Sequence, residues 1–314
     1  MKLDLIEIKP KNYKRKVFIA IVISILFIIA FSFLGIKAAE AYNKKIIAKR
    51  NEISVSKKNH ENNKQEENKQ TRQDNIENIN SSEEAIENMN SNKLPVYSEN
   101  AKKKLKSLYT DDTKVAYLTF DDGPSQTVTP PILDLLKQEN IKATFFVLGS
   151  RVKANPDLVK REYQEGHYLA SHGYSHVYSQ IYASPQSVLD EYNKSVEAIR
   201  NTIGEPDYNP HLFRFPGGYY GGKYYSVKQG ALELLEQNEV LHVDWNALTS
   251  DAAGKKTTEE FIAELEKTVP KHNSVVVLMH DAGTKKATAE ALPTIISYFR
   301  DRGFEFENFY SIIK

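Results

Sequence analysis

Cysteine is absent from the 314 residues. That excludes disulfides and thiolate metal ligands, so any metal must be held by histidine and carboxylate side chains. An excess of either charge is missing too. The 42 Lys and Arg nearly cancel the 41 Asp and Glu, leaving no overall field of the kind that marks a nucleic-acid binder. No nucleic acid is expected as a partner, and nothing implies a protein partner. Residues 43–92 lack glycine and proline and hold few large apolar side chains, the rest being mostly Asn, Lys, Glu, Gln and Ser. Such a segment cannot bury enough surface to offset its ordering entropy, and it carries no a/d heptad of a coiled coil. A flexible or partly helical stalk is expected there. As a coil of about 60 residues it would hold its cargo roughly 45 Å from its root.

What the stalk follows is an uncharged apolar stretch, Val17 to Ile36, preceded by Lys14, Arg15 and Lys16 and followed by Lys37. Its length matches one bilayer crossing. Ala39-Glu40-Ala41 offers a small-x-small cleavage site, but the run is longer than a usual signal-peptide core. An uncleaved membrane anchor is expected. Lys44, Lys45, Lys49 and Arg50 crowd its far side, so flanking charge does not settle orientation. The expected organisation is a cytoplasmic tail (1–16), a transmembrane anchor (17–36), a stalk (37–104) and one globular domain (105–314).

In that last part, short β-rich runs alternate with helical segments, the pattern of a mainly parallel α/β domain. Seven strands are expected: Val115 to Phe120, Ala143 to Leu148, His167 to Ser171, Leu212 to Phe215, Val240 to Trp245, Ser274 to His280 and Phe304 to Glu307. Helix ends are readable at Asn155-Pro156 with Gly166, at Ser184-Pro185 with Gly204, and at Gly303. Such alternation either closes into a barrel or opens into a doubly wound sheet, with reactive groups beyond the C-terminal strand ends in both. Asp121 and Asp122 follow the first expected strand, His172 and His176 the third and Asp251 the fifth. Arg214 lies at the end of the fourth and His280 ends the sixth. One rim thus collects the chemically capable residues.

Adjacent carboxylates such as Asp121 and Asp122 repel, and keeping both ionised requires a cation. His172 and His176 have the i, i+4 spacing that puts two imidazoles on one face of a helical turn. With Asp122 they make a shell of one carboxylate and two imidazoles, with positions left open for water and substrate. Arg214 is placed to pair with Asp121, and the ring of His280 should point into the rim beside Leu278.

Together Thr119-Phe120-Asp121-Asp122-Gly123-Pro124, His172/His176, Arg214 and Leu278-x-His280 resemble the polysaccharide deacetylases of the NodB-homology type, carbohydrate esterase family 4. The resemblance runs from about Val115 to Phe309. It implies a distorted (β/α) barrel of about seven strands and one divalent metal, usually Zn2+, with Co2+, Ni2+ or Mn2+ as alternatives. It further implies that Asp121 is the general base, that Asp122, His172 and His176 bind the metal, that His280 is the general acid, and that the Gly217 N–H helps hold the oxyanion. The activity implied is deacetylation of N-acetylglucosamine in an extracellular glycan. Peptidoglycan is the expected polymer because of the anchor and stalk. The same motifs also suit an O-acetyl, chitin or poly-N-acetylglucosamine deacetylase, or a silent carbohydrate-binding domain. Three departures from the pattern stand out. Gly173 replaces the Ser or Thr after the first metal histidine, which suggests looser metal geometry. Phe215-Pro216-Gly217-Gly218 replaces Pro-Pro-Tyr-Gly. Ala252 replaces the tryptophan of the groove, a surface that Tyr219 and its neighbours Tyr220, Tyr224 and Tyr225 are expected to supply. Asp251 is the expected partner of His280, with Asp244 as the alternative.

Overall fold

In the computed structural model, which describes residues 94–313, every strand pairing is parallel. The strands are β1 (Val115–Asp121), β2 (Thr144–Val147), β3 (Tyr168–Ser171), β4 (Leu212–Phe213), β5 (Leu241–His242), β6 (Ala247–Leu248), β7 (Ser274–His280) and β8 (Glu305–Glu307). Their order is β5-β4-β3-β2-β1-β7-β6. β7 takes one edge of β1 along its whole length, while β2 and β8 share the other, at Thr119–Asp121 and Val115–Tyr117. The expected distorted barrel of about seven strands is present as a curled, open half-barrel: the seven expected strands are joined by β6, and the edge strands β5 and β6 are not paired with each other.

The central strands are buried along their whole length, as parallel strands covered on both faces must be. Alternation sorts their side chains. Ala116, Leu118 and Phe120 of β1 join Val275, Val277 and Met279 of β7 in one core, whereas Val115 and Tyr117 join Val276 in another. Each Val, Leu, Phe or Met among them contributes roughly 1.5–3 kcal/mol on burial. Because the period is 2, Thr119 and Asp121 share the face of Tyr117, and Leu278 and His280 that of Val276. Asp121 pairs in register with His280.

Helices cover the sheet: α1 (Glu99–Ser107), α2 (Thr129–Gln138), α3 (Gly149–Ala154), α4 (Pro156–Gln164), α5 (Tyr178–Ile181), α6 (Pro185–Ile203), α7 (Tyr225–Gln237), α8 (Thr258–Thr268) and α9 (Lys286–Arg300). The expected stops hold at Ser184, whose hydroxyl accepts the Ser187 N–H, and at left-handed Gly204. Asn155 precedes α4 as expected but does not cap it with its side chain; its amide donates instead to the carbonyls of Pro124 and Arg151. The domain boundary expected after residue 104 falls inside α1, whose Ala101 and Leu105 are buried in the second core. Among the described residues no helix is long and apolar enough to cross a membrane. The expected tail, the apolar run 17–36 and the stalk up to residue 93 lie outside the described residues.

Candidate active site

Asp121 and His280 end neighbouring strands on one face. Continued alternation would turn Asp122 away from them, but its backbone sits at φ 74, a left-handed conformation that costs a non-glycine residue about 1–2 kcal/mol. Asp122 Oδ1 faces the Nε2 atoms of His172, at 3.6 Å, and His176, at 3.3 Å. The histidines do not lie on a helical turn as their spacing suggested. They flank a loop after β3 that bends through Gly173 at φ +84 and His176 at φ 57. That conformation explains Gly173: a side chain there would be strained by φ and pressed against Ile181. Instead of a serine or threonine, Glu191 of α6 braces the loop, one carboxylate oxygen accepting the N–H groups of Tyr174 and Ser175, each at 2.7 Å. Sequence reading missed Glu191. Its signal was an acid within the buried stripe of α6, between Val188 and Ser195.

Asp122, His172 and His176 fit a cation on three grounds. One ligand atom from each lies within 4.8 Å of the others. Asp122 Oδ1 is buried without a hydrogen-bond partner, a cost that a cation removes. The 3.3 and 3.6 Å separations also match the edge of about 3.3 Å of a tetrahedron with metal–ligand bonds of about 2.0–2.1 Å. His172 Nδ1 lies 2.9 Å from the carbonyl of Arg214, and donating there leaves Nε2 as the ligand atom. Burial holds the His172 pKa down at about 3, against the pull of Asp122, so the ring is neutral and ready to ligate.

Arg214 is fully buried and satisfied. Its Nη1 donates to Asp121 Oδ1 at 2.8 Å and to Thr119 Oγ1 at 2.7 Å. Nε and Nη2 donate to the carbonyls of Val243 and Asp244, and the guanidinium lies 3.9 Å from the ring centre of Phe146. Taking those two carbonyls ends β5 early, which is why the strand expected over Val240 to Trp245 shrinks to two residues. Burial pushes the Asp121 pKa up, while Arg214 and His280 pull it back.

The partner of His280 is Asp251, at 2.8 Å from Nδ1. Asp251 also accepts the His280 N–H at 2.9 Å and the Thr288 hydroxyl at 2.8 Å. It follows β6, a strand that was not expected and that pairs with β7. Burial lowers the His280 pKa, but the Asp251 hydrogen bond and charge, with Asp121 and Asp122 behind them, raise it to about 9. Asp244 instead accepts the Tyr219 N–H, at 3.0 and 3.2 Å from its two oxygens. Asp281, also missed, is fully buried; it accepts the Thr129 hydroxyl at 2.5 Å and fills the space where a Gly123 side chain would stand. Burial and the charges of Asp122 and Asp121 push its pKa up to about 7.

All of Asp121, Asp122, His172, His176, Asp251 and His280 line a cavity of about 390 Å³, walled by Tyr178, Gly217, Trp245 and Leu278. Tyr219 is not among the lining residues. Its ring packs against Phe215 and His242 at 5.5 and 5.1 Å, so the aromatic walls are Trp245 and Tyr178, neither assigned from the sequence. Gly217, at φ +76, lies against the Tyr178 hydroxyl, and its loop is held by Tyr182 on the Pro216 carbonyl and Lys228 on that of Gly218.

Residues 109–232 match the polysaccharide deacetylase family. A Bacillus cereus peptidoglycan-N-acetylglucosamine deacetylase is 35% identical over 205 residues, 63% of this chain and 70% of that protein. One from Listeria monocytogenes is 38% identical over 192 residues, 60% of this chain but 36% of its own length. The structure of a Streptococcus mutans CE4 esterase superposes with a TM-score of 0.60 at 30% identity, covering 68% of this chain and 92% of that one. Shared sequence over the domain, shared fold and the carboxylate and histidine rim agree, and the chain belongs to the polysaccharide deacetylase family.

Proposed function

We propose that this chain is a metal-dependent deacetylase of N-acetylglucosamine residues in peptidoglycan, acting outside the cell. The observation that carries the reading is that Asp121 and His280, in register on neighbouring strands, line one cavity with the Asp122, His172 and His176 cluster. The names of the similar Bacillus and Listeria proteins support the polymer. A divalent cation, Zn2+ by the histidine-rich donor set, would lower the pKa of a coordinated water and polarise the acetyl carbonyl. Asp121 takes the proton from the attacking water, and burial makes it a stronger base than an exposed carboxylate. The N–H of Gly217, on its pinned loop, donates to the oxygen that gains charge as water adds. His280, held protonated by Asp251, gives its proton to the sugar nitrogen as the C–N bond breaks, leaving amine and acetate.

Acetate release measured with the metal-loaded chain against wall glycan, chitooligosaccharide and acetylated xylan tests this reading. Release from wall glycan is expected to dominate. Preference for acetylated xylan would make the chain an ester hydrolase instead. For location, protease treatment of intact cells is expected to free an active fragment beginning between about residues 43 and 92, a stretch without the composition to bury a core. Release only after lysis would contradict an outward-facing domain.

A further inference from the structure

Left-handed backbone at a non-glycine residue persists only where its surroundings over-determine it. Asp122, at φ 74, is gripped on both sides by a single residue, Asp281. The Asp281 N–H donates to the Asp121 carbonyl at 3.1 Å, which extends the β1–β7 ladder past the Asp121–His280 pair and fixes the peptide that enters Asp122. The Asp281 carboxylate lies against Gly123, on the far side of Asp122: a Cβ on Gly123 would stand 2.0 and 2.1 Å from the two carboxylate oxygens. Unlike Gly173 and Gly217, Gly123 has a φ outside the left-handed region, so its missing side chain serves this contact and not the backbone.

A closed ring of hydrogen bonds holds that carboxylate in place. One of its oxygens accepts the Thr129 hydroxyl at 2.5 Å, the Thr129 oxygen accepts the Ser125 N–H at 2.8 Å, and the Ser125 hydroxyl donates back to the Asp281 carbonyl at 2.6 Å. The turn Gly123-Pro124-Ser125, the start of α2 and the end of β7 are thereby joined. From the side of β2, the Leu148 N–H donates to the Gly123 carbonyl at 3.1 Å. Fold stability alone does not ask for this arrangement. Asp281 is fully buried and its second oxygen has no partner, a cost that an apolar side chain of similar size avoids.

We infer that Asp281 is a positioning residue for the metal: by clamping Asp121 and Gly123 it holds Asp122 in the conformation that aims Oδ1 at the Nε2 atoms of His172 and His176. The inference rests on the ligand assignment within the deacetylase reading and goes beyond it by giving a role to a residue outside the catalytic cavity. Its test is the Zn2+ affinity of the full chain, measured by chelator competition, with the melting temperature of the metal-free protein recorded beside it. Asp281→Ala empties the space against Gly123 and should weaken Zn2+ binding about 10- to 100-fold, the effect of losing a group that orients a ligand. Asp281→Asn fills the same space and keeps an oxygen for Thr129, so it should restore most of that affinity. Thr129→Val cuts the ring but leaves the carboxylate, and should weaken binding by less than Asp281→Ala does. Gly123→Ala should weaken it as well, and its loss combined with that of Asp281→Ala should fall short of the sum, since removing the carboxylate relieves the clash. Unchanged Zn2+ affinity in Asp281→Ala, or in Thr129→Val should Asp281→Ala not fold, with only the melting temperature lowered, would overturn the inference and leave the ligand assignment standing. Asp281→Asn binding as weakly as Asp281→Ala would overturn it too, because charge and not shape would then carry the effect. An unaltered chain that binds no Zn2+ would overturn the ligand assignment and this role with it.

Discussion

Asp121→Asn is expected to lower kcat for acetate release by about 10²–10⁴-fold while the protein retains its metal. The change keeps an oxygen to accept from Arg214 but removes the group that takes the proton from water. His172→Ala is expected to abolish activity by the other route. A shell with three protein ligands cannot spare one, and the loss of His172 also frees the Arg214 carbonyl that orients it. Metal content and acetate release measured on the same samples separate the two. Because the Arg214–Asp121 pair is fully buried at 2.8 Å, Asp121→Asn also costs stability, up to about 3–5 kcal/mol if the pair is broken outright. A thermal melt must accompany the kinetics. Full activity in metal-stripped protein would sink the ligand assignment, and loss of metal from Asp121→Asn would make Asp121 a ligand rather than a base.

The second large effect concerns the proton donor. His280→Ala is expected to lower kcat on an N-acetyl sugar by about 10²–10⁴-fold, and much less on an aryl acetate, whose leaving group needs no proton. The acid works only while protonated, so activity should fall as pH rises through the His280 pKa, raised to about 9. Asp251→Asn removes the main cause of that rise and should move the falling limb of the kcat profile to lower pH. The sign for stability is the same. A histidine with a raised folded pKa stabilises fully below its unfolded value of about 6.5 and loses that contribution as pH rises through about 9. In Asp251→Asn that pH dependence should shrink in the denaturation midpoint of the metal-free protein, Asp121 and Asp122 remaining as the weaker causes. If Asp244→Asn shifted the profile and Asp251→Asn did not, the pairing at 2.8 Å would not be the one that matters in solution.

Ser274–His280 was readable to the residue, since an apolar run buried on both faces and ending in a polar group leaves little choice of boundary. The strand expected over Val240 to Trp245 was not, because a side chain far along the chain consumes its carbonyls. Helix α1 escaped for a related reason. Lys102, Lys103, Lys104 and Lys106 make its sequence look like more stalk, and only the packing of Ala101 and Leu105 on the sheet declares it part of the domain.

The sequence by itself determined which reactive groups stand at strand ends. Asp121, Asp122, His172, Arg214 and His280 each lie at the end of an apolar run or just beyond it, and that placement depends on local periodicity alone. Tertiary structure decided the rest: that Asp251 and not Asp244 faces His280, that a loop braced by Glu191 carries the two histidines, and that Trp245 and not Tyr219 walls the cavity. Those outcomes turn on hydrogen bonds and contacts between segments brought together only by folding. Arg214 meets Asp121 across 93 positions and Asp251 meets His280 across 29, separations over which no local pattern carries information.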